Sequence, residues 1–122
     1  INKCLTNNFY ACHDKGVYRD FLYIDDLLRL FMKIFNTKKI NQFSGKIFNV
    51  GYGKPLDLHL VAKKIKKFCN GGRQSIKKPK LRTDESKIIY PNIDRVKGDF
   101  NWKPKVKFDI GLKKTINFYK NK

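Results

Sequence analysis

One segment constrains the fold of this sequence most. It alternates between two faces, ends in two adjacent carboxylates and is followed by apolar residues at helical spacing. Residues 18–24 alternate between two faces and predict a β-strand, which Asp25 and Asp26 terminate. Apolar residues then recur at helical spacing up to Asn36, and both carboxylates stand where a helix cap and first turn favour negative charge. The segment therefore predicts a strand that leads directly into a helix over residues 26–36.

The same order recurs further along the chain. Residues 46–50 form a short apolar run that predicts a second strand, and the glycine- and proline-containing turn at 51–55 ends it. Asp57 then predicts the cap of a helix that reaches Cys69, with apolar residues on one face and lysines on the other. The Asn-Gly-Gly sequence at 70–72 ends that helix.

The C-terminal part of the chain predicts two further helices. Asp94 predicts the cap of a short helix to Phe100, and Asp109 predicts the cap of a last helix to Tyr119. Residues 75–82 form a basic extended stretch that fits either a strand or a loop. Helices and short strands in this order indicate a small mixed α/β fold.

Length and charge limit the classes of function. The chain has 122 residues, which is one domain or less, so residues 1–122 are treated as a single unit. Its net charge of +18 is typical of nucleic-acid binding. Of the 28 basic residues, however, 23 are lysine and five are arginine, and base-reading modules rely on arginine. An AT-rich coding sequence would give the same excess of lysine whatever the protein did. The charge alone therefore does not assign a nucleic-acid partner.

No complete catalytic or metal-binding pattern occurs in the sequence. Cys4, Cys12 and Cys69 have neither the number nor the spacing of a disulfide framework or zinc site, and they predict reduced thiols. The lone glycine pair at 51 and 53 is typical of a tight turn. No apolar run approaches the ~20 residues of a membrane span, and the N-terminus does not have the pattern of a signal peptide. We therefore expect a cytoplasmic location, no membrane partner, no metal and no catalytic residue in this chain.

A set of spaced segments resembles one protein family. Residues 16–26, GVYRDFLYIDD, resemble the G-x-x-R-D-F-x-Y-V-D-D segment of the NAD-dependent epimerase/dehydratase family, the extended short-chain dehydrogenase/reductases. Residues 45–53, GKIFNVGYG, are similar to its G-x-x-Y-N-V-G-x-G turn, and residues 80–85 to its arginine-bearing loop. Residues 94–104 and 111–119 resemble its D-x-x-K-A-x-x-x-L-G-W-x-P and G-L-x-x-T-I-x-W-Y segments. The resemblance runs from about Gly16 to the end.

Two features of that family have no counterpart here. Family members begin with a Rossmann domain that carries a glycine-rich dinucleotide fingerprint, followed by a Tyr-x-x-x-Lys dyad, and this sequence has neither. The resemblance therefore implies the C-terminal substrate-binding portion alone, a small mixed α/β lobe that packs on an NAD-binding Rossmann domain absent here. It implies that NAD binds the missing N-terminal half and that this chain alone transfers no hydride. Because Ile1 is not an initiator methionine, we expect a fragment or a truncated product.

The resemblance also implies substrate-contacting residues. Arg19 and Arg82 match the family's two phosphate-contacting arginines, and a guanidinium fork suits a pyrophosphate. Glu85 matches a position whose carboxylate accepts from ribose hydroxyls, and Tyr10 precedes the Arg19 strand where the family packs its nucleotide base. The alternative for Arg19 is a surface ion pair with a neighbour such as Asp20, and the alternative for Glu85 is a solvated loop charge.

The implied partners are a nucleotide-diphosphate sugar and either the missing Rossmann half or a homo-oligomer of the full enzyme, with a place in polysaccharide biosynthesis. Three alternatives stay open: a small basic nucleic-acid-binding module, an accessory subunit that completes a separately encoded Rossmann half, and a decayed fragment without activity. An exposed apolar face is expected if the lobe is made alone. The sugar, the nucleotide base and the choice among epimerisation, dehydration and reduction stay open as well.

Overall fold

Short strands and helices surround two apolar clusters in the computed structural model, which describes residues 1–12, 16–75 and 85–121. A mixed α/β fold, as predicted, is confirmed. In chain order the elements are α1 (Asn2–Leu5), β1 (Phe9–Tyr10), β2 (Tyr18–Arg19), α2 (Ile24–Phe35), a 3₁₀-helix (Ile40–Phe43), β3 (Leu56–Asp57), α3 (Leu58–Cys69), β4 (Arg73–Gln74), β5 (Ile88–Ile89), α4 (Asp94–Phe100) and α5 (Phe108–Lys120).

Strand β2 lies at the centre of a three-stranded sheet. It pairs antiparallel with β3 and parallel with β5, which places Arg19 between Leu56 and Ile89. Strands β1 and β4 form a separate parallel pair in which Phe9 lies opposite Arg73. Because each strand is only two residues long, the sheets join distant parts of the chain and contribute little core of their own.

Two clusters of buried side chains form the interior. Leu30 of α2 and Ile116 of α5 are each only 1% exposed. The face predicted for α5 is therefore buried at Ile116, whereas much of the apolar spacing predicted for α2 lies exposed and Leu30 is buried instead. The first cluster, between α2 and α4, consists of Leu30, Ile93, Val96, Phe100 and Trp102. The second, which joins α1, α3 and α5, consists of Cys4, Cys69, Leu112 and Ile116.

The cysteines contribute to packing. Cys4 and Cys69 are buried thiols of the second cluster, and the Cys12 thiol lies 3.6 Å from the Leu58 carbonyl oxygen. Burial raises the pKa of the Cys69 thiol above its ordinary value, with a smaller contribution from Cys4. Cys69 is therefore a protonated, apolar side chain near neutral pH, in agreement with the predicted reduced state.

Helix α3 and its caps follow the sequence prediction. The carboxylate of Asp57 accepts a hydrogen bond from the His59 N–H at 2.8 Å and caps the first turn. Asn70 ends the helix with φ of +54°, in the left-handed region that asparagine tolerates. Gly72 follows with φ of +92° and lies so close to α1 that an added Cβ would stand 2.7 Å from Cys4 Sγ.

The predicted strands are shorter than expected. The strand predicted over 18–24 covers only Tyr18–Arg19, and α2 begins at Ile24, two residues before the predicted start. Residues 46–50 form no strand, and that prediction was wrong. Their alternation instead reflects packing, because Phe48 and Val50 contact the first cluster while their neighbours face outward. Of the stretch 75–82, only Ser75 lies within the described residues.

Three of the predicted aspartate caps were also wrong. The N-cap residues of α2, α4 and α5 are Tyr23, Ile93 and Lys107, and none makes a side-chain cap hydrogen bond. The aspartates lie in the first turns instead, where their charge still suits the helix dipole. Asp109, for example, accepts from Lys64 Nζ at 2.5 Å and ties α5 to α3. These carboxylates bind basic side chains in place of the N–H groups at the helix ends.

Candidate anion-binding site at the β2 edge

Arg19 is the cation that the sheet brings to the predicted site. It is the last residue of β2, and its guanidinium reaches toward the segment that precedes β5. Nη1 donates to the carbonyl oxygens of Tyr18 at 2.8 Å, Ser86 at 3.2 Å and Lys87 at 3.3 Å. These bonds hold the guanidinium in one orientation at the edge of the sheet.

Glu85 completes the contacts of this guanidinium. Arg19 Nη2 donates to Glu85 Oε1 at 2.5 Å, and the two side chains remain 22% and 31% exposed. The structure therefore brings together two of the predicted site residues that are far apart in sequence. A guanidinium that already binds one carboxylate, and that solvent reaches, is suited to bind another anion.

Asp20, the neighbour suggested as an alternative partner for Arg19, has a different role. Its carboxylate accepts from three successive backbone N–H groups, those of Tyr52 at 2.7 Å, Gly53 at 2.7 Å and Lys54 at 3.2 Å. Arg19 therefore forms its ion pair with Glu85 and not with Asp20, so the alternative of a partly exposed ion pair stands with a different partner. Close packing fixes this turn, since an added Cβ on Gly51 would stand 2.4 Å from Pro91 Cγ.

The glycine turn at residues 51–54 also tests whether the described residues could hold a dinucleotide cofactor. Backbone N–H groups at such a turn bind a pyrophosphate only when they are available to it. Here the Asp20 carboxylate occupies all three. The N–H groups of this turn are therefore not available to the pyrophosphate of a dinucleotide.

Tyr10, predicted to lie near the nucleotide base, is part of the other sheet. It is partly buried on β1 and packs against the second apolar cluster. Burial raises the pKa of its phenol, with smaller contributions from Cys4 and Cys12, so the hydroxyl is protonated at neutral pH. Within the described ranges, no hydrogen bond, ion pair or ring contact joins Tyr10 to the pair formed by Arg19 and Glu85. Arg82, the second predicted arginine, lies outside the described residues.

The most highly connected carboxylate, that of Asp26, was not predicted as such. Its fully buried side chain accepts from the Lys105 N–H at 3.1 Å and the Val106 N–H at 2.9 Å, and it pairs with Arg29. The Trp102 indole N–H donates to the Asp26 carbonyl oxygen at 3.0 Å. Asp26 therefore fastens α2 to the segment before α5, and both of its oxygens are committed to structure.

An apolar cavity of about 210 Å³ between α3, α5 and residues 21–23 is lined by side chains of which only Tyr23 is ionisable. Among the described residues, no group of three His, Cys, Asp or Glu side chains could hold a metal ion. Across the same ranges, no helix has the length and apolarity that a membrane crossing needs.

Comparison with curated proteins identifies relatives that include UDP-glucuronate 4-epimerases. UDP-glucuronate 4-epimerase 5 of Arabidopsis thaliana is 26% identical over 129 residues, and the match covers 98% of this chain and 30% of the relative. The chain therefore spans less than a third of the length of that relative. No protein-family model matches the sequence.

Solved structures share the fold. The UDP-glucose 4-epimerase of Thermotoga maritima, determined with UDP-glucose, has a TM-score of 0.77 at 21% identity over 98% of this chain and 37% of its own. The Bordetella bronchiseptica enzyme WbmG, in complex with NAD and UDP, has a TM-score of 0.79 at 17% identity over the same shares. At these identities the likeness establishes the fold, and the matched part is the C-terminal portion of the larger proteins.

Proposed function

We propose that this chain, which belongs to the NAD-dependent epimerase/dehydratase family and matches its C-terminal portion, holds the pyrophosphate of a nucleotide-sugar substrate at Arg19. Residues 1–122 would form the substrate-binding portion, while NAD and the Tyr/Lys dyad belong to the part of the relatives that this chain does not span. The observation that carries the proposal is the partly exposed Arg19 guanidinium, bound by a carboxylate at the sheet edge.

The geometry at β2 supports binding of a doubly charged group. Three carbonyl contacts orient the Arg19 guanidinium, so little side-chain freedom remains to be lost when an anion binds. Guanidinium groups bind phosphate oxygens through two parallel N–H bonds, which a lysine cannot do. A pyrophosphate would replace the Glu85 carboxylate at Nη2 and keep the guanidinium paired.

Glu85 acquires a second role in this proposal. Once a pyrophosphate displaces it, the carboxylate is free to accept hydrogen bonds from the ribose hydroxyls of the same ligand. In the absence of ligand it neutralises Arg19, which spares a part-buried cation from lacking a partner. Glu85 therefore exchanges one partner for another as the nucleotide enters.

The relatives support the substrate class. Three curated matches are named UDP-glucuronate 4-epimerases, and two structural neighbours were determined with UDP-glucose or UDP. We therefore propose a uridine diphosphate sugar as the ligand. The particular sugar, the reaction of the whole protein and a place in polysaccharide biosynthesis remain predictions.

The exposed side of α2 supports packing against the cofactor-binding part. Ile24, Leu28, Phe31, Met32 and Phe35 are large apolar residues that α2 leaves exposed, and they recur at helical spacing. An apolar helix face of this kind is typical of an interface. The match covers 30% of the relative, so about 70% of the relative's length lies outside the matched portion. We propose that this face contacts the Rossmann portion.

Isothermal titration calorimetry of the 122-residue chain with UDP and with uridine tests the site. We expect UDP to bind and uridine, which lacks phosphate, to bind at least about tenfold more weakly, because a hydrogen bond to a charged group contributes about 1.5–3 kcal/mol. Arg19→Ala should reduce UDP affinity at least about tenfold. Arg82→Ala, which tests the second predicted arginine, should also reduce it.

A matched control is available on α4. Arg95 is an exposed arginine whose Nη1 donates to the Ile47 carbonyl oxygen at 3.1 Å, and Arg95→Ala removes the same charge outside the site. UDP affinity should be retained in that variant. Equal UDP affinity in Arg19→Ala and wild type, or equal losses in Arg19→Ala and Arg95→Ala, would contradict the proposal.

A further inference from the structure

A basic cleft lies away from Arg19 and is lined by cations from three parts of the chain. Its volume is about 490 Å³, and α2, α4 and the segment after α4 contribute to its lining. Within the described part of the chain, its lining includes no carboxylate. The cationic residues are Arg29, Lys33, Lys97, Lys103 and Lys105.

The positive charge of this cleft is only partly neutralised. Arg29 pairs with the buried Asp26, and Lys97 Nζ lies 3.3 Å from Asp94 Oδ1. The other three cations have no ion-pair partner among residues 1–12, 16–75 and 85–121: Lys33, Lys103 and Lys105. Three uncompensated ammonium groups around one concavity repel each other, and a multivalent anion would relieve that repulsion.

The general lysine excess of the chain does not account for this arrangement. Exposed lysines on a convex helix face, such as those of α3, are separated by solvent and screened by salt. Two other lysines have acidic partners, since Lys64 binds Asp109 at 2.5 Å and Lys114 lies 3.5 Å from Asp25. The cleft differs because its cations surround a cavity, and three of them, Lys33, Lys103 and Lys105, have no acidic partner among the described residues.

The walls of the cleft are fixed before any ligand binds. Trp102 belongs to the lining but is only 3% exposed, and its indole N–H is bonded to the Asp26 carbonyl oxygen. The Asp26 carboxylate accepts from the Lys105 N–H at 3.1 Å. The segment that carries Lys103 and Lys105 is thereby attached to the first turn of α2, so the lysine backbones cannot move apart freely.

We propose that this cleft is a second anion site, which binds a compact ligand with two or more phosphate groups, such as a short polyphosphate. Its volume falls within the ~300–1,000 Å³ of small-molecule sites. Lysine ammonium groups bind phosphate as point charges, which suits terminal phosphates of a polyphosphate chain. Because the Trp102 ring is buried, the cleft offers no aromatic face on which a base could stack. Phosphates are therefore recognised, and bases are not.

Tryptophan fluorescence tests the proposal directly, because Trp102 is the only tryptophan in the chain and lines the cleft. The titration uses the 122-residue chain carrying Arg19→Ala, so that the nucleotide site proposed above does not contribute. Tripolyphosphate is the probe, at constant ionic strength. We expect a saturable change in Trp102 emission, and at least a tenfold weaker affinity after the added double substitution Lys103→Ala and Lys105→Ala.

A control of equal charge is provided by Lys63→Ala with Lys66→Ala, two exposed lysines on α3. This variant should keep the affinity of the Arg19→Ala background. Equal losses in both double variants would overturn the proposal and leave only diffuse charge. Tighter binding of a ten-nucleotide single-stranded DNA than of tripolyphosphate would also overturn it, in favour of a nucleic-acid surface. Failure of UDP to bind at Arg19 would leave these results unchanged.

Discussion

Two arginine–carboxylate pairs of this chain differ in the burial of their carboxylates, one of which is fully buried while the other is partly exposed at a sheet edge. Arg29 pairs with Asp26, whose carboxylate is fully buried and also accepts two backbone N–H groups. Arg19 pairs with Glu85, and both side chains remain partly exposed. In the first pair the Asp26 carboxylate makes the additional hydrogen bonds, and in the second pair the Arg19 guanidinium makes them.

This difference separates a carboxylate that is committed to structure from an ion pair that solvent reaches. Removing the buried carboxylate would leave backbone donors without acceptors, which is costly. Opening the exposed pair costs little, because water and a ligand can both replace the lost partner. The interior pair should therefore respond to mutation through the free energy of unfolding, and the edge pair through binding.

The largest expected effect is that of Asp26→Asn. We expect the free energy of unfolding to fall by about 3 kcal/mol, since a buried charged network loses one partner. Urea denaturation followed by circular dichroism measures it. Asp25→Asn is the matched control, because Asp25 is about half exposed and its contact with Lys114 is 3.5 Å long. A loss in the control as large as that in Asp26→Asn would remove the distinction between interior and surface carboxylates.

Substitution of Asp57 should lower the free energy of unfolding by the next largest amount. Burial raises the pKa of Asp57, but the backbone N–H groups of Gly16, His59 and Leu60 lower it more, and the result lies below the ordinary value of 3.8. Asp57→Ala should cost about 1–2 kcal/mol at pH 7.

The sign of the Asp57 effect with pH follows from the lowered pKa. The carboxylate contributes its full stabilisation above the pKa of the unfolded chain, and loses it as pH falls through the lower pKa of the folded state. The difference in unfolding free energy between wild type and Asp57→Ala should therefore be constant from pH 7 to 5 and shrink toward pH 3. A difference that grows as the pH falls would contradict this account.

Arg19→Ala should have a smaller effect on stability. We expect a loss of about 1 kcal/mol or less, because the side chain is partly exposed and its ion pair is open to solvent. Thermal unfolding at equal protein concentration measures it. Destabilisation as severe as that of Asp26→Asn would make Arg19 a structural residue and weaken the case for a ligand site.

Glu85→Gln should produce the smallest change, and it sharpens the proposed exchange of partners. Without the competing charge, Arg19 should bind inorganic pyrophosphate more tightly by about threefold, whereas UDP should not gain as much because the ribose hydroxyls lose a charged acceptor. Calorimetric affinities for the two ligands give their ratio. An equal gain for UDP and pyrophosphate would indicate that Glu85 makes no contact with ribose.

Local features of the fold were predictable from sequence, and distant pairings were not. Helix α3 needed only its own residues, since Asp57 caps it and Asn70 ends it. The partners of Asp26 lie 79 and 80 residues away, so its role as an interior fastening could not be seen in the spacing of the chain. The alternation over 46–50 had the pattern of a strand although no partner pairs with it among the described residues.

The candidate site shows the same division. The resemblance to a family brought Arg19 and Glu85 together, although they are 66 residues apart, and the structure places them in direct contact. Residue types alone would have favoured the neighbouring Asp20 as the partner of Arg19. The Asp20 carboxylate instead accepts hydrogen bonds from backbone N–H groups of the turn at 51–54. As ligand contacts, Arg19, Glu85, Tyr10 and Arg82 all stay predictions.

The most direct test is the side-chain nitrogen NMR spectrum of the five arginines during a titration with UDP. We predict that the Arg19 Nε signal shifts and saturates at the affinity measured by calorimetry, whereas the signal of Arg95, which lies outside both proposed sites, does not move. If the Arg19 signal stays unchanged while UDP binds, or if both signals shift alike, the edge pair is not the ligand site that its surroundings indicate.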